Sequence, residues 1–126
     1  DSEQKKFKLN ENRKLRDKVF LYREGDKIYV RWTGKKDKLP FFINSMKTKV
    51  VLASEVPIKS FDFFPGRSDS FIVHFSNGSL VAFEIDTRFG NQNSYKLVKY
   101  CDKYIIDGKE LYYFIGQKLF VIDFED

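Results

Sequence analysis

From Val19 onward, apolar residues recur at alternate positions or in short continuous runs, and glycine-containing pairs break the runs at intervals. No window keeps a 3.6-residue apolar spacing over the ten or more residues of a helix, so the pattern predicts strands and tight turns. VFLYREGDKIYVRW, residues 19 to 32, centres on Gly25-Asp26, a pair suited to a type II′ turn. SFIVHFSNGSLVAFEID, residues 70 to 86, centres on Asn77-Gly78, and LYYFIGQKLFVIDF, residues 111 to 124, on Gly116-Gln117. Four further strands are predicted: TKVVLASEV at 48 to 56, IKSFDFF at 58 to 64, SYKLVKY at 94 to 100 and DKYIID at 102 to 107.

Register shows what these hairpins require. A two-residue turn at Asn77-Gly78 pairs Phe75 with Leu80, Val73 with Ala82 and Phe71 with Glu84 on one face, and Ile72 with Phe83 and His74 with Val81 on the other. Both faces are apolar. The last hairpin sets Leu111, Tyr113, Phe120 and Ile122 against Tyr112, Phe114, Leu119 and Val121, and again neither face suits water. Antiparallel strands buried on both faces belong in a sheet between two other sheets. In the first hairpin Val19, Leu21, Ile28, Val30 and Trp32 share an apolar face. Phe20, Tyr22, Glu24, Lys27, Tyr29 and Arg31 make a mixed one, which predicts a place nearer an exposed end.

Composition agrees with this all-β reading. At 126 residues the chain is one domain's worth, and its fourteen Phe and seven Tyr fit pleated surfaces better than helices. Residues 1 to 18 are expected to be a basic N-terminal arm, in which the alternation of Lys6, Phe7, Lys8 and Leu9 suits one edge strand. Residues 19 to 126 are expected to be a single all-β domain. One cysteine excludes an internal disulfide, and with no apolar run long enough to span a membrane, an intracellular setting is expected.

The segment IKSFDFFPGRSDSFIVHFSNGSLVAFEIDTRFGNQNSYKLVKY, residues 58 to 100, resembles one four-stranded blade of a WD-repeat-like β-propeller. KYIIDGKELYYFIGQKLFVIDFED is similar to the first three strands of a following blade, and residues 19 to 56 to the last three of a preceding one. The resemblance implies two to three blade-like units of stacked antiparallel sheet; the residues alone also allow a small β-sandwich or rolled sheet. A closed propeller has at least four blades. The expected role is therefore a non-enzymatic interaction or scaffold module that completes its fold with a protein partner or by self-association.

The chemistry-bearing residues are few. The single histidine, His74, lies mid-strand among apolar neighbours and reads as structural; with Cys101 it falls short of a zinc set, and no glycine cluster matches a phosphate loop. No catalytic residue, cofactor or metal is expected. The net charge of +5 favours acidic partners. Candidate contacts for a protein partner, or for nucleic acid in the alternative reading, are Lys5, Lys6, Lys8, Arg13, Lys14 and Arg16 in the arm, with Arg31, Lys35, Lys36 and Lys38 around Trp32.

Overall fold

A computed structural model describes residues 9–86 and 92–124. The described residues form eleven strands in three antiparallel sheets, with one 3-10 turn at Lys36–Lys38. Sheet I holds β1 (Arg13–Arg16), β2 (Val19–Glu24), β3 (Lys27–Trp32) and β4 (Lys49–Ala53). Sheet II holds β5 (Ile58–Phe63), β6 (Ser70–Phe75), β7 (Leu80–Glu84) and β8 (Ser94–Val98). Sheet III holds β9 (Lys103–Asp107), β10 (Glu110–Ile115) and β11 (Lys118–Asp123). Every strand pairs only with its neighbours in sequence. Residues 54–57 and 99–102 carry the chain from the last strand of one sheet to the first of the next.

Local chemistry sets the hairpins. Glu24 pairs with Lys27 and Ile115 with Lys118, so Gly25-Asp26 and Gly116-Gln117 are two-residue turns, each with its glycine at φ +60°. The central hairpin departs from the sequence expectation. The amide of Phe75 donates to the Ser79 carbonyl at 3.0 Å and that of Gly78 to the Phe75 carbonyl at 2.9 Å. The turn therefore has three residues, Ser76, Asn77 and Gly78, with Gly78 in the positive-φ bulge position at +91°. Phe71 consequently pairs with Phe83, Val73 with Val81 and His74 with Leu80. The one-residue shift moves every β7 side chain to the face opposite the one expected.

Both faces of sheet II are nonetheless covered. Phe61, Phe63, Phe71, Val73 and Phe75 pack with Val19, Leu21, Ile28, Val30 and Trp32 of sheet I. Ile72, Leu80 and Val98 pack with Leu111, Tyr104, Tyr113 and Ile122 of sheet III. Sheet II is the middle layer, as the two-sided apolar pattern required.

Two expectations are corrected. Arg13–Arg16, placed in a solvated arm, are strand β1, joined to β2 by a turn in which Asp17 and Lys18 both adopt positive φ, 51° and 66°. The arm residues Lys5, Lys6 and Lys8 lie outside the described residues. The last hairpin is covered on one face only, because sheet III ends the stack and Leu119 and Val121 are 55% and 54% exposed.

Candidate interaction surfaces

The register of sheet III places three same-face rows on its outer surface: Asp107, Glu110 and Asp123; then Ile105, Tyr112 and Val121; then Lys103, Phe114 and Leu119. Apolar residues fill the middle of this surface and carboxylates line one end. Glu110, through charge and through the bond it accepts from Tyr112 Oη at 3.3 Å, holds that phenol above its ordinary pKa, with Asp107 and Asp123 acting in the same sense. Lys103 Nζ stands 4.8 Å above the Phe114 ring. Among the described residues, sheet III has three strands against four in sheets I and II, and β11 lies at its edge.

The outer surface of sheet I has a different chemistry. Its rows are Leu15, Phe20 and Arg31; Arg13, Tyr22, Tyr29 and Val50; and Glu24 with Lys27. Tyr22 and Tyr29 stack at 5.0 Å between ring centroids, and the Arg31 guanidinium lies 5.9 Å over Phe20. Three cations against one carboxylate make this surface basic and aromatic.

The candidate cations do not act as one group. Arg13 and Arg31 share the outer surface of sheet I. Lys14 and Arg16 point the other way, into the junction with sheet II. Lys14 Nζ pairs with Asp62 at 3.1 Å, and Arg16 Nη1 donates to the carbonyls of Phe64 and Arg67, both at 3.0 Å. These two side chains hold the first strands of sheets I and II together. Lys35, Lys36 and Lys38 are exposed beside the 3-10 turn, while Trp32 is buried and donates through Nε1 to the Lys35 carbonyl at 2.8 Å. Phe41, in the same connection, is 68% exposed, a feature that the sequence pattern FF concealed because Phe42 beside it is buried.

The polar cluster between sheets II and III is structural in its geometry. Tyr104 donates to Asp62 Oδ2 at 2.6 Å, and burial with the adjacent carboxylate keeps this phenol protonated. His74 is buried with Nε2 2.9 Å from the Cys101 carbonyl; a carbonyl only accepts, so Nε2 carries the proton. Among the described residues no three His, Cys, Asp or Glu side chains gather to hold a metal ion, and no helix is long and apolar enough to cross a membrane.

Burial pushes the His74 imidazole below its ordinary value of 6.5. The unfolded chain then binds a proton that the folded chain refuses. The contribution of His74 is therefore complete above pH 6.5 and is lost as the pH falls beneath it, by up to about 1.4 kcal/mol per pH unit. Thermal midpoints at pH 7.5 and pH 5 should show this fall, and His74→Gln should flatten it. Asp69, held low by its bonds from Arg67, titrates in a separate, more acidic range.

No family model, curated protein or solved structure matches the chain.

Proposed function

We propose that the chain is a non-enzymatic protein–protein interaction module built of propeller-blade-like sheets, and that it completes its fold against another protein surface. The outer face of sheet III carries this reading. Ile105, Leu119 and Val121 are each about half exposed on a sheet whose other face packs Leu111, Tyr104, Tyr113 and Ile122 against sheet II. A continuous apolar sheet face of this kind marks an interaction surface. The polar side chains between sheets II and III, His74, Tyr104 and Asp62, are engaged in hydrogen bonds that join the layers.

Leu119→Lys combined with Val121→Lys tests the reading. Both positions are exposed, so unfolding free energy should stay within about 0.5 kcal/mol of the parent. Binding of an apolar dye, or association seen by sedimentation, should disappear. A parent chain that is monomeric and binds no dye would contradict the proposal. A second reading, nucleic-acid binding, rests on exposed Phe41 beside Lys35, Lys36 and Lys38. Oligonucleotide affinity that falls steeply with salt and is lost in Phe41→Ala would favour it.

A further inference from the structure

This inference rests on the interaction reading above and names the chemistry that covers sheet III. The register sets Glu110 directly opposite Asp107 on one side and Asp123 on the other, with all three on the outer face. Like charges directly opposite one another in a ladder destabilise it. None of the three takes part in an ion pair among the described residues. The cations of this sheet are directed elsewhere: Lys109 lies against Gly66 of the β5–β6 connection, Lys118 falls on the inner face, and Lys103 stands over Phe114 at the far end of the outer one. Each carboxylate also raises the pKa of Tyr112, so their fields converge beside the apolar row.

The row therefore destabilises the free chain, and a cation brought from outside reverses the effect. The apolar face beside it indicates what carries that cation. Because the rows cross the strands, the chemistry changes along them: carboxylates first, then Ile105, Tyr112 and Val121, then Phe114 and Leu119 with Lys103. Three strands place β9 and β11 about 10 Å apart, the width of one helix. The six residues of β10 span about 20 Å, the length of about thirteen helical residues. A helix laid along the strands covers this face from end to end. With its N-terminus at the carboxylates, its dipole is matched at both ends, by Asp107, Glu110 and Asp123 at one and by Lys103 at the other.

We propose that the outer face of sheet III receives an amphipathic helix of another protein. Its apolar stripe covers Ile105, Val121 and Leu119, and basic side chains of its first turn meet the carboxylate row.

Two synthetic peptides of about 18 residues, long enough to hold helical structure, test this against the full chain. Both carry a leucine stripe; one has arginines in its first turn and the other glutamates. The chain has a net charge of +5, so its overall field favours the glutamate peptide. Calorimetric titration should nonetheless show the arginine peptide binding at least about 10-fold more tightly. Glu110→Gln should erase most of that preference. It removes the opposed charges while keeping an acceptor for Tyr112, so it should also raise the thermal midpoint of the free chain by about 1–5 °C. Asp123→Asn should act in the same way, and Val121→Lys should abolish binding of both peptides. Equal affinity for the two peptides, or a midpoint lowered by both carboxylate variants, would overturn the proposal and leave the interaction reading intact. So would a chain that binds neither peptide yet binds an apolar dye, or one that pairs with itself in sedimentation until Val121 is replaced. A monomer that binds neither peptide nor dye would overturn both.

Discussion

Phe71→Ala is expected to lower the unfolding free energy by about 3–5 kcal/mol, enough to remove much of the stability of a domain this size. Phe71 is fully buried in the middle sheet, stacked on Phe83 at 5.4 Å, and packs into the cluster that joins sheets I and II. Its ring is held between two sheets whose backbones are fixed by their own ladders, so little collapse can refill the space. Urea titration should show a lower midpoint with an unchanged slope. Val121→Ala, on the open face of sheet III, is the control and should change stability little. A loss below about 1 kcal/mol at Phe71 would mean that sheets I and II are not packed through this ring.

Gly78→Ala is expected to cost about 2–4 kcal/mol from two separable causes. The first is backbone strain, since Gly78 sits at φ +91° in the three-residue turn. The second is steric, because an added methyl would fall on Cδ1 and Cε1 of Tyr100. Neither partner yields easily. The Gly78 amide donates to Phe75 and its carbonyl accepts from Cys101, while Tyr100 Oη donates to Asp102 at 2.6 Å. Pairing Gly78→Ala with Tyr100→Ala should recover the steric part and leave about 1–2 kcal/mol of strain. Denaturant unfolding of both single variants and the double variant measures the coupling. Full recovery in the double variant would show that φ at this position carries no cost.

The same turn shows where sequence reasoning reached its limit. Asn77-Gly78 marked the hairpin correctly, but the dipeptide suits both a two-residue turn and the last two residues of a bulged three-residue turn. The pattern could not choose between them, because residues 80 to 83 are apolar throughout and a shift of one position merely exchanges Leu80 and Ala82 for Val81 and Phe83. Strand β1 was hidden for a different reason. Arg13, Lys14 and Arg16 look solvated in sequence, and only the tertiary partners Asp62 and the carbonyls of Phe64 and Arg67 draw two of them inward. Asp17-Lys18 carries no glycine to advertise a positive-φ turn. The all-β class and the two-sided burial of the central ribbon were legible because they rest on apolar alternation. The outer face of sheet III was not, since a run such as Leu119-Phe120-Val121 reads the same whether its second face meets another layer or ends the stack.

The strictly sequential pairing of strands has a consequence during synthesis. All of the main-chain partners of sheet I are available once Ala53 has left the ribosome, yet Val19, Leu21 and Val30 lack the middle-sheet part of their cluster until the chain up to Ile85 follows. At ordinary translation rates of about 5–20 residues per second, that leaves a greasy ribbon waiting for roughly 2–6 s. The nascent chain is thus most prone to go astray before its middle layer emerges rather than after release.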